Sequence, residues 1–426
     1  MKNKQLRDSF VIGFALFAMF FGAGNLIFPP FLGNSVGDQF VPALVGFLIT
    51  GVGLPLLGII ACARIDGPFE KMAGRVGKTF AIISTVILIL AIGPIIAIPR
   101  TASTTFEIGI STLLPSATQG LTTIIYFAVA LFFVLRPTAI VDAIGKVLTP
   151  ILLVVLVTII TKGMFSPIGE IATLDVSNVF TSSFKEGYQT MDAIAAVIFA
   201  SIVISSVHAK GYKDSKSSSK VIMTSGAIAI GGLTLIYGGL LYLGAQTSSL
   251  TGISLSRTQL LLYIVREIFG PLGVLLLSVC ATVACLTTAI ALLSSSAEFF
   301  TKLFKEKISY NVIAIILTIV SALMATNDVD KIVSLAGPAL DIIYPVVIVL
   351  IVLTLLENYI KHDRVIAWTV YVTLILSLII NVSTLMRWEV ISKTLEYLPF
   401  QSAGFGWLLP AVITCLVTNT LIKKEA

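Results

Sequence analysis

The chain has 426 residues, of which 57% are apolar and 12% are charged, whereas about 25% of the residues of an average soluble protein are charged. Its mean hydropathy of +1.01 excludes a soluble globular fold and indicates a protein that crosses a membrane several times. The net charge of +6 fits the excess of Lys and Arg on the cytoplasmic loops of membrane proteins, so we expect no nucleic-acid partner.

Twelve apolar segments are long enough to cross the bilayer core, which takes roughly twenty helical residues. The predicted spans are residues 9–30, 40–62, 79–99, 120–136, 140–162, 188–208, 220–246, 270–300, 309–325, 331–356, 365–385 and 405–422. We therefore predict an all-α polytopic membrane protein of about twelve transmembrane helices. It forms a single membrane domain over residues 1–426, with lipid around it.

The order of the spans suggests internal symmetry. Spans one to five form a first repeat at about 9–162, and spans six to ten form a second at about 188–356. Because each repeat has an odd number of spans, the second copy is inverted relative to the first. The last two spans, at about 365–422, are appended helices outside this five-plus-five arrangement.

The distribution of basic residues predicts the orientation. With the N-terminus inside, 20 of the 28 Lys and Arg residues lie on the cytoplasmic side, and 8 lie on the other side. Basic residues accumulate on cytoplasmic loops, so we expect both termini in the cytoplasm of a cell-membrane protein.

The stretch "GAGN" at Gly22–Asn25 lies inside the first span, followed by Pro29 and Pro30. Close helix packing would account for the glycines, but not for the asparagine or the prolines. A discontinuous helix accounts for all of them. Its second half would direct free N–H groups at an anion, and carbonyls that end the first half could hold a cation.

The stretch "GYQTMDAIAA" opens the sixth span and carries Thr190 and Asp192. An acid inside a membrane span is usually functional, whereas an aspartate near a helix N-terminus can also be stabilised there by the helix dipole. Both interpretations stay open, and no Gly or Pro between Gly187 and Gly211 indicates a break.

Three further polar features have two interpretations each. Thr287 and Thr288 of span eight could hydrogen-bond to carbonyls of their own helix, or supply two oxygen ligands to a small cation. Arg100 and Glu107 flank the outer side of span three, either as a gate pair or as solvated charges. Asp341, in span ten, is either a satisfied polar residue of the bundle or a gating and coupling residue.

Three stretches resemble the branched-chain amino acid carrier family (BrnQ type): "FALFAMFFGAGNLIFPPFLG", "IGPIIAIPRTA" and "YQTMDAIA". The resemblance covers essentially the whole chain. That family is similar in fold to the neurotransmitter:sodium symporters, whose first span has Gly-x-Gly-Asn with a proline five residues later. Gly22, Gly24, Asn25 and Pro30 match that spacing.

The resemblance implies a substrate site and a sodium site. Backbone N–H groups near Ala23 and Gly24 would hold a substrate carboxylate. Asn25 would lie where relatives have a second sodium site, and Thr190 would face it from span six. Together with the candidate acid of span six, the predicted substrate-site residues are Gly22, Ala23, Gly24, Asn25, Thr190 and Asp192. The sodium ligands would be the carbonyls of Ala18, Phe21 and Ala284 and the hydroxyls of Thr287 and Thr288. Span seven has no asparagine to complete a second sodium site, so we expect one Na⁺ site.

We therefore expect a secondary transporter that imports leucine, isoleucine and valine by cation symport, with Na⁺ favoured over H⁺ as coupling ion. Short loops and the absence of a Walker A pattern exclude ATP-driven pumping by this chain itself. A channel or passive facilitator is the alternative, although no series of polar groups indicates a wet pore. No enzyme motif, other cofactor or obligatory protein partner is expected.

A labelling experiment tests the orientation. A cysteine introduced within residues 211–219, in a variant without the four native cysteines, should react with an impermeant thiol reagent only from the cytoplasmic side, because this loop is rich in lysine. Labelling from outside in intact cells would contradict the topology.

Overall fold

The computed structural model describes residues 2–136, 139–212, 214–250 and 255–422, and the described residues form helices and connecting turns without a strand. Its α-helices are, in chain order, α1 (Lys2–Phe20), α2 (Ala23–Val36), α3 (Phe40–Leu48), α4 (Leu54–Arg64), α5 (Phe69–Gly74), α6 (Lys78–Leu90), α7 (Ala97–Thr104), α8 (Ser111–Leu113), α9 (Gln119–Leu135), α10 (Ala139–Phe165), α11 (Val179–Glu186), α12 (Asp192–Ala209), α13 (Ser215–Ala245), α14 (Arg257–Leu303), α15 (Tyr310–Met324), α16 (Val329–Leu355), α17 (Asp363–Leu385), α18 (Glu389–Leu395) and α19 (Leu408–Leu421).

The predicted all-α polytopic class is confirmed. Seven helical segments are long and apolar enough to cross a membrane, and four shorter apolar helices accompany them in the described part of the chain. Each of the twelve predicted spans overlaps one or more of the helices, although several helices extend beyond the predicted ends. The protein is therefore a multi-pass membrane protein.

The first span is broken where the glycines predict it. Helix α1 ends at Phe20, and the Phe21 N–H still bonds to the Phe17 carbonyl at 2.9 Å. Gly22 then adopts an extended conformation, and α2 begins at Ala23. The Asn25 side chain accepts a hydrogen bond from the Gly22 N–H at 3.4 Å and so caps the new helix from within its first turn.

The sixth span is also broken, which the sequence left open. Helix α11 ends at Glu186, and a short 3₁₀ turn over Gly187–Thr190 leads to Met191 in the left-handed region, at φ 60°. The Thr190 hydroxyl donates to the Gly187 carbonyl at 2.9 Å and closes this turn. Helix α12 begins directly afterwards at Asp192, so this aspartate lies at a helix N-terminus inside the protein.

The third span bends at Gly93 and resumes as α7, which places Arg100 in the first turns of the new helix. This span is longer than predicted, since helical backbone continues through residues 105–110 and into α8. Helix α14 likewise begins before the predicted eighth span and turns sharply at Gly270. Helix α14 packs against both α2 and α7, whereas α1 packs against α12 and α13. The two breaks and the bend therefore meet in the interior of the bundle.

Candidate functional site

A cavity of about 80 Å³ lies between the two helix breaks. Its wall is formed by the end of α1, the start of α2, helix α7, the Met191 break with the start of α12, and helix α14. The lining residues are Met19, Phe20, Gly22, Ala23, Gly24, Asn25, Ile92, Ala97, Arg100, Thr101, Thr190, Met191, Asp192, Ala195, Phe199, Thr288 and Leu292. The part of the wall at the helix breaks is therefore polar, and most of the other lining residues are apolar.

The two breaks are joined by a buried side-chain hydrogen bond. The Asn25 amide donates to the Asp192 carboxylate at 2.7 Å, and the same nitrogen donates to the Tyr237 hydroxyl of α13. All three side chains are buried, with exposed fractions of 5% or less. Tyr237 is held in place between Phe21 and Phe47, whose ring centroids lie 6.4 and 5.6 Å from its own. This network fixes both breaks against a third helix.

Two backbone N–H groups at the start of α2 have no acceptor among the described residues, and both residues line the cavity. The Asn25 N–H bonds to the Gly22 carbonyl at 3.2 Å, but no acceptor within the described residues takes the N–H groups of Ala23 and Gly24. Free N–H groups and the positive end of the helix dipole make such a terminus an anion site. The start of α2 therefore has the properties of a possible anion site.

Arg100 contributes a buried positive charge to the same wall. Only 4% of the residue is exposed, and its guanidinium donates to the Gln189 carbonyl at 2.6 Å and lies 5.2 Å from the Phe28 ring centroid. A Cβ atom added at Gly24 would lie 2.9 Å from the Arg100 Nη2. Gly24 thus leaves room for the guanidinium as well as giving access to the backbone.

The α14 hydroxyls hydrogen-bond to carbonyls of their own helix. Thr287 donates to the Val283 and Ala284 carbonyls at 3.1 and 3.0 Å, and Thr288 donates to the Ala284 carbonyl at 2.9 Å. Each hydroxyl oxygen keeps lone pairs for a cation while it donates its proton. Only Thr288 of the two lines the cavity.

The structure brings every predicted substrate-site residue to this cavity: Gly22, Ala23, Gly24, Asn25, Thr190 and Asp192. Most of the predicted sodium ligands, by contrast, do not line the cavity. Thr288 lines the cavity, whereas Ala18, Phe21, Ala284 and Thr287 are not among the lining residues. The sodium site therefore stays a prediction.

Sequence reasoning missed the roles of Arg100 and Tyr237. Arg100 is neither solvated nor paired with Glu107, which instead accepts from Thr258 and from the Val329 N–H. A lone arginine inside the apolar stretch "IGPIIAIPRTA" is the signal that could have identified it. Nothing in the sequence singles out Tyr237.

Asp341, the acid of span ten, is not part of this site. It lies away from the cavity wall and pairs with Lys185 at 3.3 Å.

Comparisons with known proteins agree with this architecture. The family model described as "Branched-chain amino acid transport protein" matches residues 5–425. The branched-chain amino acid permease BraB of Bacillus subtilis is 37% identical over 98% of this chain and 96% of its own length. The branched-chain amino acid transport system 2 carrier protein of Pseudomonas aeruginosa is 36% identical over 98% of this chain and 97% of its own.

Solved structures show the same fold. The inward-facing conformation of Mhp1 superposes with a TM-score of 0.63 at 14% identity, over 97% of this chain and 91% of that one. A substrate-bound, outward-open Na⁺-coupled sialic acid symporter gives a TM-score of 0.56 at 14% identity, over 98% and 91% of the two chains. At this identity the likeness concerns the fold alone.

The Tyr237 hydroxyl should contribute to stability. In Tyr237→Phe, one N–H of the buried Asn25 amide loses its acceptor, which should cost about 1–3 kcal/mol and lower the melting temperature of the purified protein. Tyr188→Phe is the matched control, because the Tyr188 hydroxyl is buried without a partner among the described residues. Equal melting temperatures for the two variants would contradict the network.

Proposed function

This chain belongs to the branched-chain amino acid transport protein family, and we propose that it imports leucine, isoleucine and valine by symport with Na⁺. Transport of branched-chain amino acids is the activity of the family, and the protein is not an enzyme.

One observation gives the main support for the proposed substrate site: the cavity lies where the hydrogen bond between Asn25 and Asp192 joins the two helix breaks. An α-amino acid carries its carboxylate and its ammonium group on the same carbon. The free N–H groups of Ala23 and Gly24 suit the carboxylate, and the Asp192 carboxylate suits the ammonium group. The polar head of the substrate would therefore lie between the breaks.

The rest of the cavity suits an aliphatic side chain. Phe20, Ile92, Phe199 and Leu292 line it together with Met19. Such a pocket distinguishes substrates that differ by one methylene by only about 1–3 kcal/mol. Leucine, isoleucine and valine should therefore share this carrier and inhibit one another.

Oxygen atoms beside the cavity support the choice of Na⁺. No backbone N–H of the described residues donates to the Ala18 and Phe21 carbonyls at the break, and Thr288 presents a hydroxyl in the cavity wall. Hard cations bind oxygen ligands, backbone carbonyls among them. In the proposed site the Ala18, Phe21 and Ala284 carbonyls and the Thr287 and Thr288 hydroxyls hold the ion.

Location in the cell membrane, with both termini in the cytoplasm, is part of the proposed function. Import requires the cell membrane, and the distribution of Lys and Arg supports cytoplasmic termini. The chain would act without an obligatory protein partner.

Leucine uptake into proteoliposomes tests the function. An inward Na⁺ gradient should drive accumulation above equilibrium, and a pH gradient alone should not. Accumulation driven only by the pH gradient would overturn the choice of ion and leave Asp192 or Asp341 as coupling residues. Equilibration without accumulation under either gradient would indicate a facilitator.

Thr288→Val tests the ion site. Loss of one oxygen ligand should raise the Na⁺ concentration for half-maximal uptake by roughly ten- to a hundred-fold, taking about 1–3 kcal/mol for an unmade buried polar contact. Thr301→Val is the control, because Thr301 lies on the same helix, also bonds to the carbonyl four residues earlier, and is not among the cavity-lining residues. An unchanged Na⁺ dependence in Thr288→Val would place the ion elsewhere.

A further inference from the structure

Arg100 is a buried cation for which the described residues supply no anionic partner. Arg257, by contrast, pairs with Glu186 at 3.2 Å and with Asp330 at 2.7 Å. No carboxylate within the described part of the chain lies within 4.0 Å of the Arg100 nitrogens, and its buried Nε has no hydrogen-bond partner. A charge inside a membrane protein is expensive unless it is paired, which makes this arginine a functional candidate.

The guanidinium is next to the proposed carboxylate pocket. A Cβ at Gly24 would lie 2.9 Å from Nη2 and 3.2 Å from Cζ, so the guanidinium lies against the backbone whose N–H groups are free. Arg100 and Asp192 both line the cavity, yet no ion pair joins them. The cavity wall therefore holds an arginine and an acidic side chain that are not paired with each other, and these suit the two ends of an amino-acid zwitterion.

From this geometry we propose that Arg100 binds the substrate carboxylate and is the residue that selects amino acids over amines. The inference rests on the proposed function. Nη1 already holds the Gln189 carbonyl, which fixes the orientation of the guanidinium plane. Nη2 makes no hydrogen bond to the described residues and remains to donate to a carboxylate, in a charge-assisted hydrogen bond. The N–H groups of Ala23 and Gly24 complete the pocket.

The alternative is that Arg100 only positions the second break through the Gln189 carbonyl. The two roles differ in their dependence on the ligand. A carboxylate-binding arginine affects ligands that carry a carboxylate, whereas a positioning arginine affects every ligand of the cavity by a similar factor. Isoamylamine, which is leucine without its carboxylate, separates the two.

Binding to the purified protein tests this selection without a gradient. In Arg100→Met, the affinity for radiolabelled leucine should fall by roughly ten- to a hundred-fold, as expected for a lost charge-assisted hydrogen bond, while the affinity for competing isoamylamine should hardly change. Arg100→Lys should recover part of the leucine affinity. Arg257→Met removes an equal charge outside the cavity wall and should leave the ratio of the two affinities unchanged.

Equal losses for leucine and isoamylamine in Arg100→Met would overturn the proposal and leave a positioning role. Absence of leucine binding to the wild-type protein would instead contradict the proposed function.

Chemical modification of the wild-type protein keeps the proposal testable if Arg100→Met does not fold. Leucine and isocaproate, which both carry the carboxylate, should slow the reaction of Arg100 with phenylglyoxal, measured by peptide mass spectrometry. Isoamylamine should not slow it. The exposed Arg364 is the internal reference and should react at a constant rate. Equal protection by all three ligands would contradict carboxylate binding by Arg100.

Discussion

The hydrogen bond from Asn25 to Asp192 holds together the two points at which the membrane helices are interrupted. An interrupted helix leaves backbone N–H and C=O groups unpaired, and lipid offers no partner for them. Such a break is tolerated only where it is buried in the protein or lines a water-filled cavity, so that other polar groups can pair with the backbone. Here Tyr237 of α13 accepts a second hydrogen bond from Asn25, so these three side chains link α2, α12 and α13.

The same arrangement accounts for the chemistry of the cavity. The break before α2 exposes N–H groups, the break before α12 places Asp192 at a helix start, and the bend at Gly93 directs Arg100 to the same wall. Arg100 and Asp192 are both buried, so their polar interactions are stronger than at a surface. An amino-acid head group can complete these interactions, whereas an aliphatic side chain fits the apolar remainder.

The sequence predicts the class and the spans because hydropathy reports directly on the lipid environment. It also predicts the break near Gly22, since two glycines, an asparagine and two prolines within nine residues do not suit an uninterrupted membrane helix. It does not reveal the break at Met191, because tertiary contacts hold a non-glycine residue in the left-handed region there. The predicted position of Arg100 is wrong because the predicted third span ends at residue 99, whereas the helix continues beyond the bend at Gly93 as α7 and places Arg100 in the interior. Tyr237 could not be found, since its role depends on a contact between residues 212 positions apart.

Protection of a single cysteine tests most directly whether substrate binds between the breaks. Ala195 lines the cavity one turn after Asp192, so Ala195→Cys can be labelled in a protein without the four native cysteines. We expect leucine to slow its reaction with a thiol reagent, and expect isocaproate and isoamylamine to do so only at higher concentrations, since each lacks half of the head group. A labelling rate that leucine leaves unchanged, in a variant that still transports leucine, would contradict the site.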